Sequence, residues 1–274
     1  MSNKNPSIGK TIKAGKYMVN YHDVGEGDVV FLIHGSGPGV TAYANWGKVM
    51  PLLKENKRVI APDMLGFGYS ERPEGIKYTM DLWVQQMVDL MDALDVDQAD
   101  IVGNSFGGAL ALSLAIKYPE RVRKIVLMGS MGIEFNLTYG LDRVWGYEAS
   151  VEFMRSVLDL FTYNKEMITD ELAKIRYEAS VEPGFQESFS SMFPYPRQSS
   201  VTMMASDEED IKKIKAPALI VHGRDDLVIP VSNAYKLFDL LEDSQLHIFG
   251  KCGHWTQIEH TGDFCRLLDG FLAE

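Results

Sequence analysis

The chain has 274 residues, 46% of them hydrophobic and 24% charged, a globular composition that excludes wholesale disorder. Its formal net charge of -11 argues against nucleic acid or an anionic membrane as partner, since either selects a basic face. Two cysteines, Cys252 and Cys265, are too few for a disulfide framework or a zinc site. Met1 to Lys16 holds lysines but no apolar stretch of a secretory signal. The longest clean apolar run, Val29–Ile33, is far too short to span a bilayer. A cytoplasmic location is the expectation.

Lys16–Val24 alternates like an antiparallel edge strand. Short bursts rich in β-branched residues follow at Val29–Ile33, Arg58–Pro62, Asp100–Gly103, Lys124–Met128, Ala218–Val221 and Leu246–Phe249. Each is nearly all apolar, as a strand covered on both faces must be. Between them lie helical spacings, such as Met80, Val84, Met87, Met91 and Leu94 behind a Thr79 cap. This alternation predicts an α/β fold with a mostly parallel sheet between helices. From Glu134 to Ser199 the strands stop, and helical patterns occupy Glu148–Leu160 and Thr169–Ser180. Of these 66 residues 12 are aromatic, against 17 of the other 208, unlike a solvated linker. We expect a helical cap at 134–199, dividing one core into 1–133 and 200–274 and covering the carboxyl ends of the strands.

Gly103-Asn104-Ser105-Phe106-Gly107 is the one G-x-S-x-G in the chain. It sits between an apolar strand and an apolar helix, the context of a nucleophile elbow. A serine nucleophile needs a base, and the base needs an orienting carboxylate, in the chain order Ser, acid, His. Of the six histidines, His22 and His34 precede the serine, and His222 and His247 fall in strands as packed residues. His254 lies in a loop after the last strand and is the favoured base; His260 opens the last helix. Asp225 and Asp226 both follow the penultimate strand. Asp226 begins a D-x-x-x-P turn and is preferred, but the turn alone separates the two poorly. His34-Gly35-Ser36-Gly37-Pro38-Gly39 follows a central strand. The amides of Ser36 and Phe106 are the expected oxyanion donors.

Other motifs carry less. Gly9-Lys10-Thr11 resembles the end of a phosphate loop, but Lys4 stands at its first glycine. Gly35-x-Gly37 lacks the third glycine of a dinucleotide site. Asp207–Asp210 is expected to cap a helix, and Cys252 to fill space.

These stretches together resemble the meta-cleavage product hydrolases of the α/β-hydrolase superfamily, especially those acting on monocyclic ring-fission products. Leu32–Gly39, Tyr43-Ala44-Asn45-Trp46, Ala61–Gly68, the elbow, Arg176–Ser180 and Gly253–Glu259 carry the likeness, which covers nearly the whole chain. It implies an eight-stranded sheet with an inserted lid and no metal or organic cofactor. It also implies a homo-oligomer and an anionic 2-hydroxy-6-oxo-2,4-dienoate substrate. The separation 254 − 226 = 28 matches the family and selects Asp226. The likeness further assigns Arg176, Asn45 and Asn104 to the carboxylate and 2-oxo end, and Trp255 to the dienoate. Without it, Arg176 reads as a solvated helix charge and Trp255 as core. The cap aromatics with Met192 to Phe193 suggest a modest apolar pocket for methyl, ethyl or isopropyl at C6 rather than phenyl. The rivals are a carboxylesterase with the same triad and a small-molecule receptor of this fold. Dehalogenases and epoxide hydrolases would place aspartate where Ser105 stands.

Overall fold

The computed structural model describes residues 5–274; Lys4, and with it the first position of the phosphate-loop comparison, lies outside them. The elements of the first part are β1 Lys10–Ala14, β2 Tyr17–Val24, β3 Val29–Ile33, α1 Ala42–Trp46, α2 Met50–Leu53, β4 Arg58–Pro62, α3 Met80–Ala93, β5 Ala99–Asn104, α4 Phe106–Lys117 and β6 Val122–Met128. There follow α5 Tyr139–Trp145, α6 Val151–Phe161, α7 Asp170–Ser180, α8 Phe185–Met192, α9 Gln198–Met204 and α10 Glu208–Ile211. The last elements are β7 Ala218–Gly223, α11 Ser232–Leu240, β8 Ser244–Phe249, α12 Thr256–Glu259 and α13 Thr261–Ala273.

One eight-stranded sheet runs in the order β1-β2-β4-β3-β5-β6-β7-β8. From β4 to β8 all pairings are parallel, while β2 is antiparallel to both β1 and β4. The expectation of an edge strand at Lys16–Val24 therefore fails. β1, with sequence KTIKA, pairs outside β2 and forms the edge. It buries only Ala14, so its sequence carries too little apolar signal to announce a strand.

The central strands are buried because each sheet face supports its own apolar layer. Phe31, Ile33, Ile101 and Ile125 pack on one side with α3 and α4. Val30, Leu32, Val102 and Val126 pack on the other with α13. α4 is buried along Phe106–Ala115, which explains why its sequence is apolar all round. α3 keeps one buried stripe and starts where the Thr79 hydroxyl accepts the Leu82 N–H at 3.2 Å.

Between β6 and β7 the chain forms α5 to α10 and no strand. α6 buries Met154, Val157, Leu158 and Phe161. α9 crosses the expected boundary at 199 and packs on α4. We therefore propose that the cap closes before α9 and that this helix belongs to the core. The short α10 is capped by Asp207, whose carboxylate accepts the Glu209 N–H at 2.8 Å. No helix among the described residues is long and apolar enough to cross a membrane.

Strand register decides which loops meet. Ile33 aligns with Gly103, Asn104 with Met128, Met128 with Val221, and Gly223 with Phe249. The loops leaving β3, β5, β7 and β8 therefore emerge side by side at one end of the sheet.

The first of these loops is anchored by His34. Its buried ring donates from Nδ1 to Gly35 O at 2.7 Å and accepts the Met64 N–H on Nε2 at 2.9 Å. Burial pushes the imidazole down to about 4, so the unfolded chain binds this proton first. His34 contributes its stability fully above its unfolded value and loses it as pH falls towards 4. Guanidinium midpoints at pH 7 and pH 4.5 should therefore fall less for His34→Gln than for the wild type. Equal falls would contradict this assignment.

Candidate active site

Ser105 occupies the sharp turn between β5 and α4 with φ 55° and ψ -111°. A non-glycine residue there is strained, and its surroundings must hold it. They do so by close packing: a Cβ on Gly103 would lie 2.1 Å from Gly107 O, and one on Gly107 would lie 2.4 Å from Ile33 O. Only glycine permits strand and helix to meet this closely. The Ser105 N–H donates to Met128 O at 2.9 Å.

Asp226 lies on the turn after β7 and is fully buried. Its Oδ1 accepts the N–H groups of Val228 and Ile229 at 2.7 and 3.0 Å. Its Oδ2 accepts Nδ1–H of His254 at 2.7 Å. Burial opposes ionisation of this carboxyl, but the His254 imidazole and the donated hydrogens hold it well below the usual carboxylate range. With Nδ1 protonated, neutral His254 keeps its lone pair on Nε2, the tautomer a base needs. The Asp225 carboxylate makes only a 3.4 Å contact with exposed Arg224 among the described residues. The structure thus separates the two aspartates by geometry.

One contact is absent from the sequence reading. His222 is buried as expected, but its Nε2 lies 3.0 Å from Ile229 O and 3.3 Å from Asp226 Oδ2. Both neighbours only accept, so Nε2 carries hydrogen and braces the acid from behind. The i,i+4 spacing of His222 and Asp226 was the available signal. His247 is exposed on edge strand β8, which corrects its expected packing. His260 stands at the N-cap position of α13 without a side-chain capping bond and stacks on Phe249. Cys252 is buried, and burial pushes its thiol up to about 12, as suits a space filler rather than a nucleophile.

Ser105 and His254 line one narrow cleft with Ser36, Asn45, Asn104 and Arg176. Neither the Ser36 nor the Phe106 amide donates to an acceptor among the described residues. The Phe106 ring itself is buried between Phe67 and Trp83, away from the cleft. Asn45 Nδ2 donates to Asn104 Oδ1 at 3.1 Å, and Asn104 Nδ2 donates to Met128 O at 3.3 Å. Asn45 Oδ1 is buried with no partner among the described residues. Arg176 reaches the cleft from α7 and has no ion-pair partner among them. Burial pushes its guanidinium down to about 10, which leaves it cationic at neutral pH. Trp255 also lines the cleft and stacks on Phe161 with centroids 4.7 Å apart and planes at 17°. Phe161 stacks on His254 as well, at 5.8 Å.

Leu141, Val144, Met154, Leu158 and Val228 form the apolar part of the cleft. Met192 and Phe193 do not reach it: Met192 packs near Gly66, and Phe193 stacks on Trp145. The expected pocket near those two residues is therefore replaced by one between α5, α6 and the acid turn. Among the described residues no three metal-ligating side chains gather.

Residues 28–261 match the model of the alpha/beta hydrolase fold family. The chain is 56% identical over 273 residues to a 2-hydroxy-6-oxo-2,4-heptadienoate hydrolase of Pseudomonas putida, covering 100% of this chain and 99% of that one. It is 54% identical over 269 residues to a 2-hydroxymuconate semialdehyde hydrolase of a Pseudomonas species, covering 98% and 95%. A crystal structure of the meta-cleavage product hydrolase CumD superposes with a TM-score of 0.98 at 55% identity, covering 98% and 99% of the two chains. A second, from Pseudomonas fluorescens and complexed with acetates, gives the same values. A serine-hydrolase class with this fold is thus defined first by the elbow and its partners. Within it, the chain belongs to the meta-cleavage product hydrolases.

The geometry predicts that a fluorophosphonate probe labels Ser105 in the wild type. Asp226→Asn should slow labelling at least about a hundredfold by disturbing the His254 tautomer, while Asp225→Asn should label at the wild-type rate. The reverse order, read by intact mass, would contradict the choice of acid.

Proposed function

We infer that this chain hydrolyses the C5–C6 bond of 2-hydroxy-6-oxo-2,4-dienoates, giving 2-hydroxypenta-2,4-dienoate and a carboxylic acid. One observation carries this beyond a generic esterase. Arg176 brings a half-buried cation, with no ion-pair partner among the described residues, into the same cleft as Ser105. A neutral ester gives such a charge nothing to bind, whereas a dienoate carboxylate matches the guanidinium fork. The family likeness and the names of the relatives support the same reading.

The substrate carboxylate pairs with Arg176. Its 2-hydroxyl donates to the unpartnered Asn45 Oδ1, and the Asn45–Asn104 pair holds that end in place. Trp255 lies along the dienoate. His254 Nε2 takes the enol proton from O2 and delivers it to C5, so the ketonised substrate has an electron sink for C–C cleavage. His254, now neutral, takes the Ser105 proton as Oγ bonds to C6. The oxyanion is held by the Ser36 and Phe106 amides. The C5–C6 bond breaks, its electron pair passes into the dienolate, and protonated His254 gives its proton to that leaving group and becomes neutral again. Water, activated by His254, releases the acyl group from Ser105. Asp226 keeps the imidazole oriented throughout. The apolar side chains of Leu141, Val144 and Val228 suit an alkyl group at C6, and the names of the relatives support a small one and monocyclic precursors. The family likeness alone supports a homo-oligomer and a cytoplasmic location.

The yellow colour of 2-hydroxy-6-oxohepta-2,4-dienoate should decay with wild type and persist with Ser105→Ala. Arg176→Ala should raise KM for this anion between about tenfold and a hundredfold and leave KM for p-nitrophenyl acetate unchanged. Persistent colour with wild type would reject the substrate class. Equal effects on both substrates would reject the role of Arg176.

A further inference from the structure

Ser36 makes one contact that its amide role does not require. Trp145, at the end of α5, is buried, and its Nε1–H donates to Ser36 Oγ at 3.1 Å. Its indole is held flat against Phe193, with centroids 4.5 Å apart and planes at 4°. The same helix is tied to the acid turn, where the Thr138 hydroxyl donates to Val228 O at 2.7 Å. One short helix between β6 and β7 thus touches both the oxyanion loop and the turn that carries Asp226.

The chemistry of the two groups sets the direction of the contact. An indole N–H only donates. Ser36 Oγ is therefore the acceptor, and its own hydrogen must point elsewhere. No described residue accepts that hydrogen, and Ser36 lines the cleft beside Ser105.

We propose that Trp145 is a positioning residue for the chemical step: by occupying a lone pair of Ser36 Oγ, it aims the Ser36 hydroxyl into the cleft as a third donor to the oxyanion on C6. The two backbone amides and this hydroxyl then surround one oxygen, and α5 takes part in stabilising it. No covalent change occurs at either residue. This proposal rests on attack at C6 as described above.

The test is a double-variant cycle on the methyl-ketone dienoate, using the full-length protein. Trp145→Phe keeps the ring against Phe193 and removes only the N–H. Ser36→Ala keeps the amide and removes only the hydroxyl. Each should lower kcat roughly tenfold, below the loss for a primary oxyanion donor, with KM within about twofold of wild type. The double variant should fall little further, since both changes remove the same donor. A purely structural role for Trp145 would instead lower thermal stability and leave the Ser36→Ala loss intact in the Trp145→Phe background. Wild-type kcat in either single variant, or losses that multiply to roughly a hundredfold, would overturn the proposal. Should Trp145→Phe fail to fold, Ser36→Ala decides alone: a fall in kcat at constant KM supports the hydroxyl donor, and an unchanged kcat rejects it. If wild type leaves the dienoate intact, the C–C hydrolase assignment fails and takes this proposal with it. If wild type is active and the variants match it, only this proposal fails.

Discussion

The close meeting of β5 and α4 is the constraint on which the site depends. Gly103 and Gly107 let backbone approach backbone where a single methyl group would collide. That approach turns the chain so sharply that Ser105 adopts a positive φ. Parallel register then places the loops after β3, β7 and β8 beside this turn. Nothing else in the fold would bring residues 36, 105, 226 and 254 to one place.

Electrostatics at the site run against the rest of the molecule. The chain carries a formal net charge of -11, so its overall field repels an anionic substrate. Attraction must come from nearby, where low polarity strengthens it. Arg176, which lines the cleft from α7 with no ion-pair partner among the described residues, is the cation we propose for this. Asp226, by contrast, is surrounded by donors and kept ionised. The two ends of the cleft therefore differ in kind: one presents a cation with no ion-pair partner among the described residues, and the other holds a carboxylate surrounded by donors.

The central strands were legible because burial on both faces demands continuous apolar residues, and five of the six bursts met that demand; the sixth, β8, is a sheet edge with no buried residue. β1 was hidden because an exposed edge strand needs no such signal, and the misplacement of β2 at the edge followed from missing it. Ser105 and His254 were legible from glycine spacing and loop position. The choice between Asp225 and Asp226 was not, since both follow the strand; it depends on which carboxyl receives the Val228 and Ile229 amides. Arg176 and Trp255 became visible only through resemblance. A helix charge and a buried aromatic have ordinary structural roles until a cleft is known to pass beside them. His222 and Trp145 act through neighbours distant in sequence or across a turn, and periodicity does not report such contacts. The apolar pocket was misplaced for the same reason: Met192 and Phe193 are as apolar as Leu141 and Val144, and only packing decides which pair faces the cleft.

Proton NMR of the wild-type reaction in D2O tests the central claim most directly. With 2-hydroxy-6-oxohepta-2,4-dienoate as substrate, one acetate should form for each dienoate consumed. The accompanying 2-hydroxypenta-2,4-dienoate should carry one deuterium at C5. Loss of the dienoate without acetate, or a product with no deuterium at C5, would contradict cleavage of the C5–C6 bond as described.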